Sequence, residues 1–200
     1  MKSSRRVFLA SLFFATLSSA KARKICSLTP SQPAGPFFKK DNVYQISDMT
    51  NNGKAKGKIV SIQGRIQNKH CIPHPFSKMI VWQANAYGKY NHDNDLSKNK
   101  IDPNFDGYIK LLSDEDGFYN FTTIIPGTYK ISETIKRPPH IHIFIQTKTN
   151  KRIITQLYIR NHPLNKKDFL FNRDKKNSLL ELDFKRSSAS SDYANYDFII

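Results

Sequence analysis

The chain has 200 residues, and 32 Lys and Arg against 16 Asp and Glu give a formal net charge of +16. That length suits one domain with a real core. The basic residues are scattered, with no long basic run and no nucleic-acid motif. The charge therefore reads as a solvated surface able to steer acidic substrates, and no nucleic-acid partner is expected.

Residues 1–22 (MKSSRRVFLASLFFATLSSAKA) combine a charged start, an apolar stretch and small residues around a cut site, the pattern of an export signal. The apolar stretch is too short to span a bilayer comfortably, so no stable membrane anchor is expected. Ser4-Arg5-Arg6-Val7-Phe8-Leu9 resembles the bacterial twin-arginine signal, which implies a periplasmic or secreted protein exported already folded. Cys26 and Cys71 are the only cysteines. In an oxidising compartment such a pair favours a disulfide, with two buried free thiols as the alternative. Cys26 is discounted as a lipid attachment site, because Arg23-Lys24-Ile25 lacks the small residues such a site needs.

Residues 23–40 form an N-terminal arm of the domain spanning 23–200. Pro30, Pro33, Pro36 and Gly35 exclude a regular helix or central strand there, and Phe37 and Phe38 should dock on the domain. Strands are expected at 58–66, 79–86, 110–113, 118–124, 140–147, 153–159 and 196–200. Between them lie a turn at 71–75, a long polar loop at 87–107, and turns at 114–117 and 125–127. A helix is expected near 167–180. The fold class is all-β: a β-sandwich core of mostly antiparallel strands, with long loops and little helix.

The chemistry concentrates in residues 128–144, TYKISETIKRPPHIHIF. His140 and His142, at i and i+2 of an extended segment, point to one face and can share a metal ion. Such a pair in a β protein is more often structural. Tyr90 in the polar loop and Tyr129 after the Pro-Gly turn add phenols. Two Tyr with two His suit ferric iron, because phenolate is a hard anionic ligand and a nearby trivalent ion deprotonates a phenol.

Several segments in order resemble the intradiol ring-cleavage dioxygenase family: TPSQPAGPFF at 29–38, WQANAYGKYNHDND at 82–95, DPNFDG at 102–107, SDEDGFYNFTTIIPGTY at 113–129, RPPHIHIFI at 137–145 and ITQLYI at 154–159. The WQANA and DPNF blocks are most similar to the β-subunit type of protocatechuate 3,4-dioxygenase. The resemblance implies Tyr90, Tyr129, His140 and His142 as ligands of a non-haem Fe(III). It makes Tyr129 the ligand that leaves on substrate binding and takes a catechol proton. Arg137 would stabilise charge on the bound catecholate, and Gln156 would orient groups beside the iron. Cys26 and Cys71 stand where exported relatives would carry cysteines. The implied reaction cleaves a catechol-type ring with O2 between its two hydroxylated carbons, giving a cis,cis-muconate-type diacid, with a protocatechuate-like substrate favoured. The implied assembly is a homo-oligomer or a complex with a related α-type subunit. A second expectation, a catalytically idle exported β-sandwich that binds a partner, fits poorly with four filled ligand positions. In contrast to the protocatechuate type, the segment from Tyr129 to Arg137 is short, and Ile131 stands where that type usually shows a Trp.

Overall fold

A computed structural model describes residues 25–39, 44–187 and 191–200; the expected export signal at 1–22 lies outside them. In chain order the strands are β1 (Tyr44–Gln45), β2 (Ile59–Gln67), β3 (Lys78–Trp82), β4 (Tyr108–Leu112), β5 (Phe118–Ile124), β6 (Tyr129–Lys130), β7 (Lys136–Arg137), β8 (His140–Gln146), β9 (Arg152–Ile159), β10 (Glu181–Leu182), β11 (Asp192–Asn195) and β12 (Phe198–Ile199).

Alternation decides which faces meet. Along β2, Val60, Ile62 and Ile66 are buried while Arg65 is exposed. β2 pairs antiparallel with β5, and β11 and β12 run parallel to its N-terminal and C-terminal halves. The second sheet has the order β1-β4-β3-β8-β9-β10, with its four central strands antiparallel and the two short edge strands parallel. Ile62, Ile66, Phe121 and Phe198 of the first sheet share one apolar cluster with Met79, Val81, Ile141, Ile143 and Ile145 of the second. That cluster is the filling of a sandwich. The all-β expectation therefore holds, with parallel pairings confined to short strands.

β8 is buried on both faces. Its isoleucines face the sandwich core, so His140, His142 and Phe144 must face the other way. A separate apolar cluster covers this outer side: Ile80, Trp82, Ala84, Tyr90, Tyr108, Tyr129 and Phe144, with Ala34, Phe37 and Phe38 of the arm packed against it. The arm is held by specific bonds. Gln32 donates its backbone N–H to the Ile154 carbonyl at 2.8 Å, and the Thr155 hydroxyl donates to the Pro30 carbonyl at 2.7 Å. A Cys26–Cys71 disulfide ties its start to the turn after β2.

Three expected elements differ. The strand from Met79 ends at Trp82, because the Asn85 side chain accepts the N–H groups of Tyr87 and Lys89 and turns the chain. The expected helix near 167–180 is a series of short 3-10 turns, Asn165–Lys167, Phe171–Arg173 and Lys175–Leu180. The strand expected at 196–200 is shortened to Phe198–Ile199, and a further strand, β11, precedes it across a break at Tyr196–Asp197.

Candidate metal centre

Four side chains converge on the outer face of the six-stranded sheet. β8 supplies His140 and His142, whose ring centroids lie 4.8 Å apart. β6 supplies Tyr129, whose hydroxyl is 3.4 Å from His140 Nε2. The polar loop supplies Tyr90, whose ring meets that of Tyr129 edge-on at 5.4 Å and lies 6.2 Å from His142. The Tyr90 loop is fixed by Asp95. Its carboxylate accepts the Tyr90 N–H at 2.7 Å and the Ser97 N–H at 2.9 Å, and it pairs with Lys89.

The imidazoles are prepared as neutral donors. Burial lowers the His140 pKa to about 3, with the Arg137 charge adding to it. Burial, then His140 and Arg137, hold His142 well below the usual imidazole value. His140 Nδ1 lies 2.7 Å from the Pro138 carbonyl; donation there leaves the Nε2 lone pair facing Tyr129. Trp82 stacks on His142 at 4.8 Å with an interplanar angle of 9°. Both phenols are pushed above their ordinary value by burial; neighbouring Tyr129 raises Tyr90 further, whereas the Arg137 charge pulls Tyr129 back.

Among the described residues, three buried polar atoms here, Tyr90 Oη, His142 Nδ1 and Trp82 Nε1, make no hydrogen bond of good geometry, although the Tyr90 and Tyr129 hydroxyls are near enough to interact weakly. A buried hydroxyl or ring nitrogen left alone is costly, so the Tyr90 and His142 atoms beside two further donors mark a place for something else. Among the described residues, no group of three or more His, Cys, Asp or Glu could hold a metal ion. A metal bound here would therefore need the phenols.

Arg137, on β7 directly opposite Tyr129, is buried beside this group. It donates Nη2–H to Gln156 Oε1 at 2.7 Å and to the Tyr158 hydroxyl at 3.3 Å, and Nε–H to Asp168 Oδ2 at 2.5 Å. Gln156 is buried and donates Nε2–H to the Pro33 carbonyl of the arm at 2.9 Å. All six expected site residues thus fall in one region. Sequence reasoning missed Tyr158 and Asp168. Tyr158 was within reach: it lies two residues after Gln156 on the same face, and its register places it opposite His140. Asp168 joins the network across 31 residues, and no spacing rule points to it.

A family model described as Dioxygenase matches residues 34–200. The chain belongs to the intradiol dioxygenase family. This family member is 35% identical over 123 residues to the protocatechuate 3,4-dioxygenase beta chain of Burkholderia cepacia, covering 60% of this chain and 52% of that one. It is 23% identical over 158 residues to the catechol 1,2-dioxygenase of Acinetobacter baylyi, covering 72% and 50%. The chain spans about half the length of these curated relatives. Among solved structures, the dioxygenase domain of a dioxygenase carbohydrate-binding protein fusion from Streptomyces sp. SirexAA-E matches with a TM-score of 0.70 at 26% identity, covering 87% of this chain and 98% of that one. The 3-chlorocatechol 1,2-dioxygenase of Rhodococcus opacus 1CP shares the fold with a TM-score of 0.72 at 23% identity, covering 86% and 71%. Intradiol dioxygenases use non-haem iron, and the donor set here fits it. Two phenols and two neutral imidazoles converge, two of their polar atoms make no well-formed hydrogen bond among the described residues, and a cation is what would let the buried phenols ionise.

A cleft of about 360 Å³ opens beside Tyr129, lined also by Pro36, Phe37, Leu96, Lys130 and Ile131 among others. Tyr129 borders it, while Tyr90 lies behind Phe37, whose ring stacks on Tyr90 at 4.3 Å. A second cleft of about 560 Å³ lies between residues 28–33 of the arm and the 3-10 turns, away from both His.

Proposed function

We propose that this dioxygenase cleaves a catechol between its two hydroxylated carbons, using ferric iron held by Tyr90, Tyr129, His140 and His142, to give a cis,cis-muconate-type diacid. The observation that carries this reading is the convergence of two buried phenols and two buried neutral imidazoles, with Tyr129 bordering a cleft and the Tyr90 hydroxyl lacking a well-formed hydrogen bond. When bound, the ferric ion would supply a Lewis acid that draws electron density from a chelated catecholate and makes its ring reactive to O2.

The protein's own residues have separable tasks. Tyr90 is sealed behind Phe37 and clamped by Asp95, so it is the permanent phenol. Tyr129 faces the cleft and stands opposite Arg137, so its oxygen is the one placed to accept a proton from an entering catechol. The Arg137 guanidinium offsets negative charge on the deprotonated substrate. Gln156, bonded to the arm and to Arg137, keeps that charge in place.

For the substrate, a ring bearing a carboxylate is favoured. Three lysines are near enough in sequence to meet one. Lys89 is only 12% exposed and already bonded to Asp95 and the Ser97 carbonyl, and Lys136 does not line the cleft. Lys130 lines the cleft and is 64% exposed, its only ion pair among the described residues being with the exposed Glu133 at 3.9 Å. The reading includes export through residues 1–22 and assembly with itself or a related subunit. Both are checked by the mass and size of the protein recovered from the periplasm.

The test is oxygen uptake by iron-loaded protein with protocatechuate, catechol and hydroxyquinol. Uptake with a muconate-type product, by a protein coloured through phenolate-to-iron charge transfer, is the expected result. Colourless, iron-free protein after iron-replete expression would sink it. Lys130→Met should raise KM for protocatechuate about threefold and leave catechol unchanged, the loss of one exposed charge contact.

A further inference from the structure

The Arg137 guanidinium is held on two of its edges. Gln156 and Tyr158 take Nη2, and Asp168 takes Nε. Asp168 comes from the C-terminal 3-10 segment, not from the sheets. Its side chain is 0% exposed, against 5% for Arg137. Its second oxygen, Oδ1, accepts the N–H groups of Leu170 at 3.1 Å and Phe171 at 2.8 Å, so the carboxylate cannot swing away. The Phe169 ring lies 5.7 Å from the guanidinium carbon. Arg137 is thus pinned by an element that contributes none of the four candidate ligands.

An arginine has four rotatable side-chain bonds, and an unpinned one would drift to the nearest anion or to water. Here the nearest groups that could draw it are the phenols and the substrate itself. Directional bonding to a fixed carboxylate removes that freedom before the substrate arrives. The same pairing offsets part of the guanidinium charge felt at Tyr129, so position and field strength are set together.

We propose that Asp168 is a positioning residue for the reaction: it fixes the Arg137 guanidinium beside Tyr129 and the two histidines, so that the charge meets the catecholate without rearrangement. This rests on the proposed function. A purely structural role, tying the 3-10 segment to the sheet, is the competing account.

Asp168→Asn separates the two. Asparagine keeps the shape and an acceptor for the Leu170 and Phe171 N–H groups, but it lacks the charge that pairs with Arg137. The variant should fold, bind the same amount of iron and keep the visible band. Its kcat should fall roughly tenfold to a hundredfold, with KM changed far less, as for other residues that orient groups beside a metal. The deciding measurement is a double-mutant cycle with Arg137→Gln. If Asp168 acts through Arg137, adding Asp168→Asn to Arg137→Gln lowers kcat by less than about twofold, where full additivity would multiply the two losses. Multiplying losses, or wild-type kcat in the single variant, overturn the proposal. A second readout needs neither iron nor substrate: the Arg137 Nε–H proton resonance should be shifted and slow to exchange in the wild type and lose both traits in Asp168→Asn. An unchanged resonance also overturns the proposal. Wild-type protein that consumes no O2 with any catechol overturns the parent function and the reaction role with it. The resonance still reports separately whether Asp168 holds Arg137.

Discussion

The Tyr90 hydroxyl sets a conflict at the residue scale. It is 1% exposed and makes no well-formed hydrogen bond among the described residues, its nearest candidate being the Tyr129 hydroxyl. In metal-free protein that is a cost with little return, because a buried hydroxyl has given up water for a weak contact. Tyr90→Phe should therefore stabilise the metal-free protein by about 1 kcal/mol, and it should abolish stoichiometric iron binding and colour. Urea denaturation of chelator-treated protein, beside an iron assay, checks both halves. Lower metal-free stability in the variant would mean the hydroxyl has a partner after all. His140 and His142 stand out in the sequence by their i, i+2 spacing, but joining them to Tyr90 and Tyr129 as one ligand set took the family resemblance. Asp168 does not stand out, because an aspartate after a polar run has the same local look whether it is solvated or wholly buried.

Among the elements, the strands that could be read were those whose pattern follows from one wet and one dry face, such as β2 and β5. β8 was found for a different reason: its β-branched residues and the preceding prolines fix it as extended, although both its faces are dry. The segment expected as helix near 167–180 forms 3-10 turns because its polar residues compete with the backbone. Asp168 accepts the Leu170 and Phe171 N–H groups, Asn172 donates to the Asn165 and Asp168 carbonyls, and Asn177 donates to the Leu170 and Phe171 carbonyls. Each such bond replaces one a helix would need. The break between β11 and β12 presses the chain closely against Gly64. A Cβ on Gly64 would lie 1.9 Å from the Tyr196 carbonyl oxygen, so the chain there occupies space only glycine leaves open. Gly64→Ala, a backbone clash in the middle of β2, should cost about 3 kcal/mol or more in chemical denaturation. A loss below about 0.5 kcal/mol, the size of an ordinary surface change, would contradict the packing.

The arm behaves as a roof. Phe37 covers Tyr90, Gly35 passes over His142, and the Gln156 side chain bonds the Pro33 carbonyl. Its covalent fixing point is the Cys26–Cys71 bridge, with a sequence separation of 45. By the chain-entropy model a loop of that size stabilises by about 4 kcal/mol, and removal of a native bridge costs roughly 2–5 kcal/mol. Replacing both cysteines with serine should lower stability within that range. The lost anchor should also speed proteolysis within residues 25–39 before the sandwich itself is cut. Mass spectrometry of a limited digest reads the order of cleavage. Simultaneous cutting of arm and core would mean the arm is held by its hydrogen bonds alone.

On the scale of the whole molecule, the sandwich spends one face of its larger sheet on chemistry. The isoleucines of β8 close the core, and the same strand turns its histidines to a second, roofed layer. Placing two imidazoles in that dry layer couples folding to pH. Burial depresses the folded-state pKa of His140 to about 3 and that of His142 well below its usual value, while both return to the ordinary imidazole range on unfolding. Between pH 6.5 and 3 the unfolded chain therefore binds more protons than the native one, and stability rises with pH across that window. The stabilisation is fully present above pH 6.5 and is lost as the pH falls, at about 1.4 kcal/mol per pH unit for each histidine. Asp48 and Asp95, where burial raises the carboxyl but hydrogen bonds outweigh it, end below their ordinary value of 3.8 and act only at the bottom of that range. Partial burial also lowers His74, His92 and His162, so urea titrations of chelator-treated protein at pH 7, 6 and 5 should show a steep loss to which the two site histidines are the most deeply buried contributors. In His142→Asn the slope should fall by about 1.4 kcal/mol per pH unit, which is one proton fewer taken up on unfolding. An unchanged slope would mean that water reaches the imidazoles in the metal-free protein and that the roof is open when iron is absent.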